Sequence, residues 1–178
     1  MPVQIGTKTH SFSDPTGLLS DCHRRIEMFL GTLEKIAAHI DQPLPDDGRR
    51  ALESALGYFR EAAPKHTADE EESVFPRLRQ SSDAEMKGAL ATLDALEQEH
   101  GRANALHEQV DVLGRQCLAA GPLSSVPARQ FRDAIAELAS IYKTHIKIED
   151  DVVFPIAGRV LSPQDKAKIA TEMAARRT

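Results

Sequence analysis

The amino-acid sequence predicts an all-α fold, an antiparallel up-down-up-down four-helix bundle with a short fifth helix at its C-terminal end. Three observations carry that expectation. Apolar residues recur in alternating steps of three and four, the spacing of a buried helix stripe. Proline, glycine and capping residues cut the 178 residues into four long segments and one short one. With six Phe, two Tyr and no Trp, the core must be built from Leu, Ile and Ala, as in bundles crossing at about +20°.

The first helix opens at Asp14-Pro15, a capping acid followed by proline at the first helical position, and runs to about Ile40. Its stripe is Leu19, His23, Ile26, Leu30, Leu33, Ala37 and Ile40. After Gln42-Pro43-Leu44-Pro45, the second begins near Asp46 and extends to about Gln80, with a kink expected at Pro64 just before His66. Ser82-Asp83-Ala84-Glu85 reads as a capping box for the third, which Gly121-Pro122 stops after about Ala120. Its stripe includes Leu93, Leu96, His100, Ala103, His107 and Val110. The fourth starts around Ser125-Val126-Pro127 and ends near Arg159, with Phe131, Ile135, Leu138, Tyr142, His145, Glu149 and Val152 in its stripe. Ser162-Pro163 caps the tail helix, whose Lys166, Lys168, Arg176 and Arg177 leave two readings, docking on the bundle or a partner and, preferred here, a solvated amphipathic cap. The expected organisation is an N-terminal extension over residues 1–13, the bundle over 14–160 and the short helix over 161–178.

A net charge of −5 argues against nucleic acid or an anionic membrane as the main partner. Apolar runs such as Ile36–Ile40 are too short to span a bilayer. The first residues lack a basic stretch followed by an apolar run, so a cytoplasmic location is expected. Two cysteines, Cys22 and Cys117, are too few for a disulfide framework and read as reduced packing thiols.

Two stretches nearly copy each other, His66-Thr-Ala-Asp-Glu70-Glu-Glu-Ser-Val-Phe75-Pro76 and His145-Ile-Lys-Ile-Glu149-Asp-Asp-Val-Val-Phe154-Pro155. Residues i and i+4 share a helix face, so each copy aims an imidazole and a carboxylate at one point. His23, His66, His100 and His145 occupy stripe positions, one per helix, and Glu70 and Glu149 point inward with them. Burying such groups without partners costs roughly 2–7 kcal/mol each for polar groups, and more for carboxylates. A metal-free hydrogen-bonded network of six would have to be fully satisfied, which makes a metal site the stronger reading. At about 1.5 Å per residue, His23, Glu70 and Glu149 fall at one level of an antiparallel bundle, and His100 reaches it if its helix overhangs by two turns.

The remaining polar residues are less telling. His107 and Tyr142 read as polar core residues with a supporting role left open, His10 and His39 as surface, and Glu27 as a flank residue paired with arginine. Imidazole and carboxylate together suit iron, manganese or zinc. Six ligands exceed one tetrahedral zinc, whereas Glu70 and Glu149 bridging two metals would leave each ion two histidines and an open position.

This pattern, His23, His66-x-x-x-Glu70, His100 and His145-x-x-x-Glu149 with two Val-Phe-Pro tails, resembles the hemerythrin-like (HHE cation-binding) family over about residues 14–160. The resemblance implies a four-helix bundle around two iron ions, oxo- or hydroxo-bridged, with all six residues as ligands and the glutamates as bridges. It implies a small ligand: dioxygen, peroxide or nitric oxide. Oxygen-carrying members have a second histidine where this chain has Asn104, and a five-residue His-to-Asp spacing where it has His145-x-x-x-Glu149. The pattern is instead similar to that of iron-sulfur repair and iron-sensing proteins, and both irons are then expected to accept outside ligands. If the centre is catalytic, it is expected to be a di-iron oxidoreductase turning over peroxide or nitric oxide in stress defence, with a protein reductant or partner left open. The alternative is a non-catalytic iron or oxygen sensor or store. A zinc or manganese hydrolase ranks last, because no paired nucleophile and base stands outside the ligand set.

Overall fold

The computed structural model describes His10, Ser11 and residues 13–178, so the N-terminal extension expected over 1–13 falls largely outside the described residues. These residues are all-helical, with no strand among them. Helix α1 spans Pro15–Ala37, α2 Asp46–Glu61, α3 Ala63–Ala68, α4 Phe75–Arg79, α5 Ala84–Gly88, α6 Leu90–Ala120, α7 Ser125–Ile148, α8 Phe154–Val160 and α9 Pro163–Ala175. Two π-helical segments, Asp69–Val74 and Glu149–Val153, join α3 to α4 and α7 to α8.

Most helix ends lie where the sequence places them, for the chemical reasons expected. Asp14 Oδ1 accepts the Gly17 N–H at 3.0 Å, and Ser162 Oγ accepts that of Asp165 at 3.1 Å. Gly121 ends α6 with φ 93°, a left-handed conformation that glycine adopts without penalty. The second helix breaks at Ala62, shortly before Pro64. At α5 the capping box is displaced by one residue. Asp83, not Ser82, accepts the N–H groups of Glu85 and Met86, because it stands directly before the first helical residue.

The π segments are the main departure from the expected continuous helices. Proline in a helix interior lacks an N–H and its ring presses on the carbonyl four residues back. Here each helix widens ahead of its proline. Phe75 N–H reaches back to the Glu70 carbonyl and Phe154 N–H to that of Glu149, both i−5. Pro76 and Pro155 thereby sit in the first turn of new α-helices, where a missing N–H costs nothing. The extra residue also changes the faces. Residues five apart lie roughly 140° apart on an α-helix, yet Glu70 and Phe75, and Glu149 and Phe154, are all buried. The same shift overturns the expectation that Val152 continues the buried stripe: Val152 is 42% exposed and Val153 is buried instead.

The chain forms two compact units. One comprises the described residues up to Arg25 with Pro64–Gln98 and Thr144–Thr178. Its core packs Leu18, Leu19, Val74, Phe75, Leu78 and Met86 with Leu93, Leu96, Phe154, Ile156, Ile169 and Met173. Full burial of each large apolar side chain contributes about 1.5–3 kcal/mol before entropy. Arg77 pairs with both oxygens of Glu172 at 2.8 and 3.0 Å, tying α4 to α9. The tail is therefore docked rather than a solvated cap: Ile169 and Met173 are fully buried, and Arg176 and Arg177 form ion pairs with Asp69.

The other unit comprises Ile26–Ala63 and Glu99–Lys143. It buries Leu33, Ile40, Leu52, Leu56, Phe131, Ile135 and Leu138. Side chains satisfy the carbonyls left over at its helix ends: Arg132 Nε donates to Ala37 O at 2.9 Å and Arg49 to Leu118 O at 2.5 Å.

Candidate metal centre

Five of the six residues singled out from the sequence lie in the first unit, and they converge. His23, His66, Glu70 and Glu149 each offer a ligand atom within 4.8 Å of the others. Glu70, His145 and Glu149 form a second such group, so the two groups share both carboxylates. Glu70 and Glu149 are fully buried, and His23, His66 and His145 are 0%, 5% and 3% exposed. The sixth residue, His100, is buried on α6 in the other unit.

The local helices explain the convergence. The i, i+4 spacing brings His66 Nε2 to 3.0 Å from Glu70 Oε1 and His145 Nε2 to 3.3 Å from Glu149 Oε2. His23, from α1, places its Nε2 3.1 Å from Glu149 Oε2 and 3.9 Å from Glu70 Oε1. These approaches lack hydrogen-bond geometry: His23 Nε2 and both Glu149 oxygens have no hydrogen-bond partner among the described residues. Buried carboxylate oxygens set 3.0–3.9 Å from imidazole nitrogens offer several ligand atoms to one cation.

The electrostatics agree. Burial pushes the His66 imidazole towards neutrality, but the Glu70 charge and the neighbouring Cys22 outweigh it and raise its pKa well above the ordinary value. For His23, burial likewise lowers the pKa, and Asp150 and Glu149 reverse the effect. A field that favours a proton on these rings favours a metal cation for the same reason.

Asp150 and Phe154 were not read from the sequence as parts of the site. Asp150 Oδ1 takes the His23 Nδ1 hydrogen at 2.9 Å and the Ser20 hydroxyl at 2.8 Å, and its Oδ2 pairs with Arg24. With Nδ1–H donated there, the lone pair of His23 is on Nε2, facing the glutamates. Burial opposes ionisation of Asp150, yet His23, Ser20 and Arg24 hold its carboxyl below the usual range. Phe154, from the second Val-Phe-Pro tail, stacks on the His23 ring at 5.4 Å and 16°. An acid next to Glu149 and a Phe repeated in both copies were the available signals.

Other residues fall out as follows. Cys22 is buried and free, stays outside the converging groups, and accepts a hydrogen bond from Arg25 at 3.1 Å. Burial raises its thiol pKa, but His66 and Arg25 bring it below the ordinary value. His107 is partly buried in the second unit, bonded to Tyr142 Oη at 2.9 Å and stacked on Phe59 at 4.3 Å, which supports the polar-core reading of both. His10 is less a free surface residue than expected: its backbone N–H and its ring both meet the Asp21 carboxylate. His39 and Glu27 are exposed.

The donor set, imidazoles and carboxylates with no thiolate among the converging atoms, fits iron, manganese or zinc. Two comparisons place the chain among known proteins. An uncharacterized protein of Haemophilus influenzae is 26% identical over 185 aligned positions, spanning 99% of this chain and 95% of that protein. The model of the hemerythrin HHE cation binding domain matches residues 14–157, which include every converging residue. The chain belongs to the hemerythrin HHE cation-binding domain family.

Proposed function

We propose that this chain is a non-haem di-iron protein that binds or reacts with dioxygen, peroxide or nitric oxide, serving oxidative or nitrosative stress defence. The observation that carries the reading is the pair of overlapping His/Glu groups that share Glu70 and Glu149. Two donor groups with common carboxylates would suit two neighbouring cations, with Glu70 and Glu149 serving both. His23 and His66 would hold one ion and His145 the other. His100 joins His145 in this proposal, by its place in the sequence repeat: each lone histidine precedes its His-x-x-x-Glu pair, His23 by 43 residues and His100 by 45. An antiparallel up-down-up-down four-helix bundle is the arrangement this ligand order suits, one histidine per long segment.

When bound, the iron pair would supply redox chemistry and open positions for a small ligand. The chain's own contributions are distinct. Asp150 keeps the proton of His23 on Nδ1, so that Nε2 stays an acceptor. Phe154 and the buried apolar residues around the second π segment exclude water from one side of the site. Cys22 and Cys117, both free, suit the reducing cytoplasm assigned in this proposal.

The test is metal analysis of protein produced in iron-rich medium, combined with near-ultraviolet absorption for a ferric pair. About two irons per chain are expected from the two donor groups. Purification with one tightly held zinc per chain would overturn the reading. So would an iron-loaded protein inert to dioxygen, peroxide and nitric oxide alike.

A further inference from the structure

Asp69 stands directly before Glu70 and is just as buried, with 0% exposure. A carboxylate there is tolerated only if its charge is compensated. The compensation comes from the last residues of the chain. Arg176 donates from Nη1 to Asp69 Oδ1 at 2.9 Å and to Ser73 Oγ at 3.0 Å, and from Nη2 to Glu72 at 3.0 Å. Arg177 donates from Nη2 to Asp69 Oδ2 at 2.5 Å, and from Nη1 back to the Met173 carbonyl at 2.6 Å. Each oxygen of Asp69 thus has its own guanidinium, and the hydrogen-bond partners of the Arg176 side chain, Asp69, Glu72 and Ser73, lie on the first π segment. A π segment is held by poorer backbone geometry than an α-helix. This one begins at Asp69 and carries Glu70 as its second residue.

We propose that Arg176 and Arg177 are positioning residues for the metal centre. They anchor Asp69 and, through the peptide bond it shares with Glu70, set the direction of the Glu70 carboxylate. The inference rests on reading Glu70 as a metal ligand. It has a reciprocal consequence: if docked arginines favour the loaded site, bound metal must favour the docked α9. The metal centre and the C-terminal helix are then linked, although no α9 side chain belongs to the ligand groups.

The experiment compares the wild type with Arg176→Gln/Arg177→Gln and with Lys166→Gln, which loosens α9 where Lys166 Nζ donates to the Gly158 carbonyl, a bond to α8 and not to the first π segment. Affinity is read with Fe(II) and with Co(II) by chelator competition, the Co(II) visible spectrum reports ligand geometry, and hydrogen exchange follows α9. The double variant is expected to lose about tenfold or more in affinity, with an altered Co(II) spectrum and unchanged helical content. Lys166→Gln should lower thermal stability and leave affinity and spectrum close to wild type. Metal should slow exchange in α9 of the wild type. Arg176→Lys/Arg177→Lys, which keeps charge but not the planar fork, should fall between. Wild-type affinity and spectrum in the double variant, or exchange in α9 that ignores metal, would overturn the proposal. If the double variant does not fold, Asp69→Asn replaces it, with the same losses expected. A wild-type chain that takes up no metal refutes the metal reading itself, and this inference falls with it; loss confined to the variants cannot be mistaken for that result.

Discussion

The two copies of the His-x-x-x-Glu motif build the same local geometry and are braced in different ways. Each passes through a π segment that turns its Glu and its Phe inward together. In the first copy the brace is the residue before the glutamate, Asp69, held by two arginines from the end of the chain. In the second copy that place is taken by Ile148, and the brace is the residue after the glutamate, Asp150, which engages Ser20, His23 and Arg24 of α1. One brace touches a converging imidazole directly and the other touches none. The His/Glu pattern repeats, and in the proposed centre each copy would supply ligands. The supports do not repeat, because each copy faces different neighbours.

Substitutions can test how far this likeness and difference extend. The largest effect is expected where the copies are alike: Glu70→Ala and Glu149→Ala should each abolish metal uptake, measured as metal content after purification. Because both donor groups share both carboxylates, a variant that keeps one full-affinity ion would break the equivalence.

The braces should then separate the copies. Asp150→Asn removes the acceptor that selects the His23 tautomer and should weaken metal binding by about 10–100-fold in competition titrations. Asp69→Asn strands Arg176 and Arg177, so a large share of its effect should appear as lost stability. About 2–4 kcal/mol is expected in urea unfolding of the apo-protein, below the full range for buried pairs because both arginines are partly exposed. Equal stability losses in the two variants would erase the distinction.

A further prediction lies outside both copies and serves as their control. Burial lowers the His107 pKa to about 4. Between about pH 4 and 6.5 the unfolded chain therefore binds more protons at this residue than the native one. Stability should rise with pH across that window, by about 2 kcal/mol after allowing for partial exposure, and His107→Phe should flatten the slope in denaturation series at pH 4.5 and 7. The smallest effect is local: Gly121→Ala forces a side chain into a left-handed turn and should cost about 1 kcal/mol, with metal content unchanged.

Much of this was legible in the sequence. The helix starts at Asp14-Pro15 and Ser162-Pro163 and the stop at Gly121 follow from capping chemistry confined to a few residues. The inward-facing histidines and glutamates follow from a helical period that one segment carries by itself. The π segments were within reach, since Phe-Pro at a fixed distance after each glutamate conflicts with an unbroken α-helix. They were missed because period and propensity describe the helix a segment prefers, not the one a proline permits.

The amino-acid sequence alone determined the all-helical class, most of the helix ends and the donor types, because these depend on contacts within a turn or two of backbone. Only the tertiary structure decided that Asp150 orients His23 and that the C-terminal arginines hold Asp69. Those partners are 127 and at least 107 residues apart. A buried charge takes whatever counter-charge the fold brings to it, and no local rule of spacing names that partner in advance.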